Sequence, residues 1–162
     1  TDNNWQQVLI FTKTKHMANK LSLHLETAGI KAAPIHGNKS QAQRERSLEE
    51  FRRGKSNVLV ATDVAARGIH IDDVPCVVHF DPPADHKDYI HRSGRTGRAG
   101  SKGVVISLVD PSQRRSVSKL ARDADVDADF VAPEFDASDP DQVKARPGEV
   151  GGVLISVGAS AE

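Results

Sequence analysis

Short apolar runs rich in β-branched residues alternate with amphipathic stretches along most of the chain. The runs predict strands buried on both faces, and the stretches between them predict helices, because an apolar residue at every third or fourth position is typical of a surface helix. Strands that alternate with helices favour an α/β fold with a mostly parallel sheet and helices on both faces. The predicted strands are Val8–Thr12, Ala32–His36, Asn57–Ala61, Cys76–Phe80 and Val104–Val109.

Local signals indicate where the predicted helices begin and end. Gly29 is placed to end the first helix, and Ser40 followed by Gln43 makes a capping box that opens the second. Asp85–Ser93 is expected to form a short helix, and Ser112 to cap the last one. The positions expected to face the core are Met17, Leu21, Leu25 and Ala28 in the first helix, Leu48 and Phe51 in the second, and Val117, Leu120, Ala121 and Ala124 in the last.

Charge is divided unevenly along the chain. Residues 1–122 hold 20 Lys and Arg against 12 Asp and Glu, a net charge of +8, whereas residues 123–162 hold 2 against 10, a net charge of −8. A basic body suits a polyanionic partner such as nucleic acid. We therefore predict a domain over residues 1–124 and an acidic, disordered tail over 125–162, in which Gly151–Val157 is a weak candidate for a late strand. The alternative for the tail is that it folds back on the basic body and competes with nucleic acid.

Composition favours a soluble globular protein and gives no sign of a membrane partner. No apolar run approaches the ~20 residues that a membrane helix needs, and no signal sequence opens the chain, so we expect a cytoplasmic protein. Cys76 is the only cysteine and lies in an apolar run, where a buried, inert thiol is expected. The 7 histidines lack ligand spacing, so no metal site is expected.

The stretch His91–Arg98 carries the strongest chemical signal. It places three arginines and two glycines in the pattern H-R-x-G-R-x-G-R, directly after a predicted short helix. Arginine presents a charged fork that matches phosphate oxygens, and glycine allows close approach of the backbone. The pattern predicts an element that supplies arginine fingers to a nucleotide. The alternative is a solvated basic turn.

Three weaker motifs follow other predicted strands. Ala61–Ile69 offers a hydroxyl, a carboxylate, an arginine and a glycine at a strand end, which suits contact with both a sugar-phosphate backbone and a nucleotide. The alternative for this motif is an ordinary turn with Asp63 as helix cap. His36–Ser40 precedes a helix, whose free amides favour an anion, and Thr12–Lys15 follows the first strand. Ligands of parallel sheets bind at the carboxyl ends of strands, so the motifs support one another.

In order and spacing these motifs resemble the second RecA-like domain of the DEAD-box RNA helicases of superfamily 2. The resemblance runs from Trp5 to about Ala124, and it is closest to the bacterial RhlE-type group through Asn4–Thr12 and His36–Gln41. It implies a RecA-like three-layer sandwich. The first strand with its Thr-Lys-Thr-Lys sequence, Val8–Lys15, resembles motif IV, Gln41–Arg44 the Q-x-x-R element, Ala61–Ile69 motif V and His91–Arg98 motif VI.

The resemblance implies a role for each matching residue. Arg95 and Arg98 would reach the γ-phosphate of ATP, which is bound with Mg²⁺ mainly by a partner N-terminal domain. His91, Arg92, Arg67, Gly68 and His70 would lie on the ATP and interdomain side: His91 and Arg92 would couple the two domains, and Arg67 would form an interdomain or intraloop ion pair. The RNA side would comprise Thr14, Gly37, Lys39, Thr62, Gln41 and Arg44, although Gln41 and Arg44 also fit a simple solvated helix surface.

The chain departs from the family pattern in two ways. His70 occupies the place where motif V usually has an aspartate that contacts the ATP ribose, so we expect weaker or pH-sensitive ribose recognition unless Asp72 replaces it. The sequence also lacks a G-x-x-x-x-G-K-[ST] phosphate loop and an Asp-Glu-Ala-Asp motif. We therefore expect the C-terminal half of a helicase, monomeric and inactive alone, whose partners are RNA and the N-terminal RecA-like domain. The alternatives are half of a superfamily 2 DNA translocase and a stand-alone RNA- or protein-binding module.

Overall fold

The architecture is a seven-stranded sheet with helices packed on it. The computed structural model of the chain describes residues 7–71, 74–96, 102–124, 129–131 and 153–159. The strands are β1 Val8–Thr12, β2 Ala32–Ile35, β3 Val58–Thr62, β4 Cys76–His79, β5 Lys102–Leu108, β6 Asp129–Val131 and β7 Val153–Ala159. The helices are α1 Lys15–Thr27, α2 Gln41–Arg52, α3 Asp63–Arg67, α4 His86–Ser93 and α5 Arg114–Asp123, with a 3₁₀ turn over Pro111–Gln113.

The sheet order is β2-β3-β1-β4-β5-β7-β6, and its first five strands run parallel. The predicted mostly parallel α/β sheet is therefore confirmed, with strand boundaries shifted by two residues or fewer. Thr12 at the end of β1 lies beside Thr62 at the end of β3, and Phe11 lies beside His79 of β4. This register brings the loops that follow β1, β3 and β4 to one edge of the sheet.

Helices cover both faces of the sheet, because successive side chains of a strand point to opposite sides. Leu9 and Leu59 face the side that carries α2 and α3, where they pack with Leu48 and Phe51 as predicted. Ile10 faces the side that carries α1 and packs in the cluster that holds Ala18. The three layers of the predicted sandwich follow from this alternation.

Two of the predicted helix ends are confirmed and one is wrong. Gly29 follows α1 with φ of +85°, a left-handed conformation that glycine adopts without strain, and Ser40 and Gln43 form the capping box of α2. Ser112 does not cap α5, which begins after Gln113 with no side-chain cap. The reason is that Asp110 accepts hydrogen bonds from both the amide and the hydroxyl of Ser112, which places Ser112 in the 3₁₀ turn instead.

The faces of α1 and α5 differ slightly from the predicted ones. Ala28 was expected on the core face of the first helix, but it is the exposed C-cap of α1, because the helix ends at Thr27. In α5, Val117 and Ala121 are buried as predicted. Leu120 and Ala124 are partly exposed.

Two strands lie within the residues predicted to form a disordered tail. β7 pairs antiparallel with β5 over Lys102–Leu108, and β6 pairs antiparallel with β7. Val153–Ala159 is apolar and rich in β-branched residues, so it can extend the sheet edge that β5 offers. For these two segments the structure differs from the expected disorder and agrees better with the weak late strand. The rest of residues 125–162 lies outside the described residues, and the domain boundary at residue 124 stays a prediction.

Cys76 is fully buried at the start of β4, as predicted for an inert thiol. Burial raises the pKa of this thiol to about 12, so it stays protonated and unreactive at neutral pH. Within the described ranges no helix is long and apolar enough to cross a membrane. The same ranges contain no cluster of three metal-ligating side chains.

His79 gives the fold a specific dependence on pH. Its ring is 0% exposed and lies edge-on to Phe11 and Tyr89. Burial, helped by the charge of Arg92, lowers the pKa of His79 to about 3. Between pH 6.5 and about 3 the unfolded chain takes up a proton here and the folded chain does not, so stability rises with pH across that window.

We expect His79 to contribute up to about 1.4 kcal/mol of stability loss per pH unit as the pH falls below 6.5. Urea unfolding at pH 4 to 7 measures this slope, and His79→Leu should flatten it. An NMR titration of the His79 ring checks the same point without a variant: the ring should stay neutral at pH 5. Protonation of the His79 ring in the folded protein near pH 6.5 would contradict this prediction.

Candidate functional site

Those predicted site residues that the structure describes lie in loops and helix ends at the carboxyl edge of the parallel strands. Thr14 caps α1, exposed to solvent, with its hydroxyl accepting from the Met17 amide at 3.1 Å. Thr62 caps α3, but its hydroxyl makes no capping bond. β1 and β3 pair in register up to Thr12 and Thr62. This pairing brings the predicted site residues Thr14 and Thr62 to the same part of the edge.

The loop between β2 and α2 is joined to α1 by side chains that the sequence interpretation missed. Lys15 Nζ donates to Asn38 Oδ1 at 3.0 Å, and His36, only 2% exposed, contacts Asn19 Oδ1 through Nε2 at 2.9 Å. This loop carries Gly37 and Lys39, so it forms one surface with the start of α1. The run His36–Ser40 was recognised, but its partners lie 17 and 23 residues away and no local pattern indicates them.

His36 is held as one neutral tautomer. Burial lowers its pKa, and the charges of Lys39 and Lys15 lower it further. The Asn38 amide donates to His36 Nδ1 at 3.2 Å, so Nδ1 is the acceptor and Nε2 carries the proton that it donates to Asn19. A neutral ring here avoids placing a third positive charge beside the two lysines.

Gln41 and Arg44 lie at the start of α2 in different surroundings. Gln41 is exposed and donates along its own helix to Glu45 Oε1 at 3.2 Å. Arg44 is partly buried, and its Nε is enclosed without a hydrogen-bond partner among the described residues. The contact of Gln41 fits the solvated-surface alternative, whereas the position of Arg44 does not.

Arg92 and Asp63 form a buried ion pair between α4 and α3. Arg92 Nε and Nη2 each lie 2.7 Å from an oxygen of the Asp63 carboxylate, and Nη1 donates to the Asp81 carbonyl at 2.7 Å. The guanidinium also lies 5.2 Å from the centre of the Phe11 ring. Arg92 is 2% exposed and joins two helices of the same domain. The role in coupling two domains that the resemblance implies for it stays a prediction. A charged group this deep needs hydrogen-bond partners, and the domain itself supplies three of these bonds.

Arg95 contacts the segment that follows α3. Its Nη2 donates to the Ala66 carbonyl at 2.8 Å, and its Nη1 donates to the carbonyls of Ile69 at 3.0 Å and Ile71 at 3.3 Å. The turn is fixed further by the Val74 amide, which donates to the Arg95 carbonyl at 3.0 Å. Motifs V and VI are thus one connected unit. Arg98 lies outside the described residues.

Arg67, His70, His91 and Arg95 line one open pocket of about 460 Å³, together with Ile69, Ile90 and Gly94. Arg67 lies in a surface ion pair with Asp88, at 2.9 Å, which is an interaction within the domain. The lining of the pocket therefore combines cationic and imidazole side chains with two isoleucines. Such a lining suits an anionic ligand that carries an apolar group.

A second pocket of about 440 Å³ shares Ile69 and His70 with the first and is also lined by Gly68, Gln41 and Arg44. The loop Gly68–His70 thus separates two open pockets. A larger cavity of about 810 Å³ lies along α5 and is lined by none of the predicted site residues.

The fold and this arrangement of motifs define a helicase C-terminal domain of the RecA-like type. The model of the helicase conserved C-terminal domain matches residues 1–100, and the chain belongs to that family. More particularly, its relatives are DEAD-box RNA helicases. The DEAD-box ATP-dependent RNA helicase 7 of Spinacia oleracea is 51% identical over 118 residues, which is 73% of this chain and 16% of the relative.

Solved structures agree in fold and sequence. The E. coli DEAD-box protein SrmB, solved with the regulator of ribonuclease activity A, matches with a TM-score of 0.69 and 40% identity over 73% of this chain and 69% of the solved chain. S. cerevisiae Dbp5, solved with RNA and ADP BeF3, matches with a TM-score of 0.67 and 41% identity over 73% of this chain and 32% of Dbp5. The relatives come from plants, fungi, a fly and E. coli, so they do not single out the RhlE-type group.

The buried ion pair generates a stability prediction. Arg92→Lys removes the two-point contact with Asp63 and leaves carboxylate and carbonyl acceptors under-satisfied, so we expect a loss of about 2–4 kcal/mol in the free energy of unfolding. Arg67→Lys changes an arginine whose side chain is 60% exposed in its ion pair, and should cost less than about 0.5 kcal/mol.

Urea denaturation of both variants measures the difference. Equal losses would mean that the Arg92–Asp63 pair contributes no more than a surface ion pair, which would contradict the role given to it.

Proposed function

We propose that this chain is the C-terminal RecA-like half of an ATP-dependent RNA helicase. It supplies Arg95 and Arg98 to ATP that is bound with Mg²⁺ mainly by an N-terminal domain, and it provides part of the RNA backbone site. The observation that carries the proposal is the pocket of about 460 Å³ that gathers Arg67, His70, His91 and Arg95. These residues come from motifs V and VI, and they share one opening beside the carboxyl edge of the sheet.

The nucleotide side has a physical basis in the state of Arg95. Its guanidinium is held by three neutral carbonyls, and a phosphate that carries full negative charge forms stronger hydrogen bonds with arginine than a carbonyl does. A triphosphate in the adjacent pocket would therefore compete for this side chain. His91 is exposed at the rim of the pocket, where a partner domain could reach it.

The RNA side consists of Thr14, Gly37, Lys39 and Thr62 at the edge of β1, β2 and β3. A Cβ built at Gly37 would meet no atom within 4 Å, and one at Gly68 would meet only the Ala65 carbonyl, at 3.8 Å. The domain itself therefore does not require glycine at either position. Close approach of a ligand to the backbone is the reason we assign to both. Contacts of this kind read the backbone and carry no sequence information.

The chain is much shorter than its relatives. The chain spans about a fifth of the curated relatives that it matches, 16% to 22% of their length. We propose that it hydrolyses ATP only when an N-terminal domain completes the site, and that it acts as a monomer. The RhlE-type grouping and the cytoplasmic location stay predictions of the sequence.

RNA is favoured over DNA because the relatives above are named as RNA helicases and one of them was solved with RNA. The DNA translocase and the stand-alone binding module remain the competing functions. They differ from the proposal in the nucleic acid that stimulates turnover and in the need for a partner domain, respectively.

The test is ATP turnover by this chain mixed with a DEAD-box N-terminal domain, with and without single-stranded RNA. We expect RNA-stimulated turnover that Arg98→Ala lowers about 10³-fold or more, because arginine fingers contribute factors of that order in other nucleotide hydrolases. Arg46→Ala, an exposed arginine 3.6 Å from Glu50 on α2, is the matched control and should leave turnover unchanged.

Three results would count against the proposal. Stimulation by DNA alone would indicate the translocase. RNA binding by this chain without turnover in any mixture would indicate the binding module. Equal turnover in the Arg98 and Arg46 variants would remove the finger role.

His70 generates a separate prediction about nucleotide affinity. A carboxylate accepts hydrogen bonds from hydroxyl groups more strongly than a neutral imidazole does. We therefore expect His70→Asp to lower the KM for ATP about threefold to tenfold in the assembled two-domain protein. An unchanged KM would show that position 70 does not contact the ribose.

A further inference from the structure

Two arginines hold three consecutive carbonyls of the loop that separates the two pockets. Arg95 Nη1 binds the carbonyls of Ile69, at 3.0 Å, and Ile71, at 3.3 Å. Between them, Arg52 Nη2 donates to the carbonyl of His70 at 2.7 Å. The loop is therefore fixed at its backbone from the turn after α4 and from the end of α2, while the His70 side chain is exposed and lines both pockets.

Arg52 is well placed for this contact. It is the last residue of α2 and lies 18 residues before His70 in the chain, so the hydrogen bond joins elements that local structure does not connect. The adjacent Arg53 does something different: its Nε pairs with Glu49 at 2.8 Å along the helix. The chain thus offers two neighbouring exposed arginines, of which one holds the loop and the other does not.

We propose that Arg52 is a positioning residue for nucleotide recognition, acting through the His70 carbonyl. A charge-assisted hydrogen bond fixes the orientation of the peptide at residue 70, and the imidazole projects from that backbone. Without it, Arg95 still binds the carbonyls on either side, but the His70 carbonyl loses its hydrogen bond to α2. The part of the inference that concerns nucleotide rests on the function proposed above.

The first test is amide hydrogen exchange in the full chain. Arg52→Ala should speed exchange in Gly68–Ile71 and leave the strands β1, β3 and β4 unchanged. Arg53→Ala is the matched control and should leave Gly68–Ile71 as in the wild type. Equal exchange of this loop in the two variants would overturn the positioning role, whatever the chain binds.

The second test is ATP turnover with the N-terminal domain added. Arg52→Ala should raise the KM for ATP about threefold to tenfold with kcat within about twofold, because one positioning hydrogen bond is lost and no group that contacts phosphate is removed. Arg52→Lys keeps a cationic donor and should restore part of the effect. Arg53→Ala should leave both constants unchanged.

A double-mutant cycle shows whether Arg52 acts through His70. Arg52→Ala, His70→Ala and the double variant should reduce the preference for ATP over 2′-deoxy-ATP to the same extent, since both changes remove one contact. Additive effects in the double variant would overturn the inference. If the wild-type mixture turns over ATP and the Arg52 and Arg53 variants have the same KM, the inference about Arg52 is overturned and the proposed function is not. If the wild-type mixture shows no turnover, the proposed function is overturned together with the nucleotide role of Arg52.

Discussion

The Arg92–Asp63 pair is the interaction on which the site depends. It joins α3 to α4, and α3 is a helix of five residues that packs Ala65 and Ala66 into the core. So short a helix gains little from its own hydrogen bonds, and tertiary contacts must hold it. The ion pair provides one of these contacts at the start of α3, and the hydrogen bond from Arg95 to the Ala66 carbonyl provides another near its end.

The position of α3 explains how two ligands could be coupled. Thr62 at its beginning belongs to the proposed RNA edge, and the loop Gly68–Ile71 after its end belongs to the proposed nucleotide site. The two sites are thus separated by a single helix whose ends are held by motif VI. Under the proposed function, a ligand that shifts α3 at one end would change the geometry at the other, and such coupling would act equally in both directions.

The sequence predicted the layers of the fold, but not the contacts that the arginines near the predicted site make. The layers could be predicted because the runs Val8–Thr12 and Val58–Thr62 are apolar throughout, which is the pattern of a strand covered on both faces. The motifs could be located because glycines and arginines recur at fixed spacing. The contacts of Arg92 with Asp63 and with the Asp81 carbonyl had no such local signal.

The sequence does not indicate these contacts, and the cause is physical. An arginine contacts whatever the fold brings within reach, and Arg52, Arg92 and Arg95 contact groups that lie 18, 29 and 26 residues away. Local periodicity carries no information at that range. Ser112 shows the same limit over a short distance, because the choice between a helix cap and a 3₁₀ turn depends on which donor Asp110 binds. The contacts of the His36–Ser40 loop with α1 were missed because the partners lie far apart in the sequence.

The proposed function requires that this domain and an N-terminal partner close on ATP and RNA together. The most direct measurement is the affinity between this chain and a DEAD-box N-terminal domain, with neither ligand, with each alone, and with ADP–beryllium fluoride and single-stranded RNA together. The account predicts weak association in the first three conditions and association at least tenfold tighter, about 1.4 kcal/mol, when both ligands are present. An affinity that does not change when both ligands are added would contradict it.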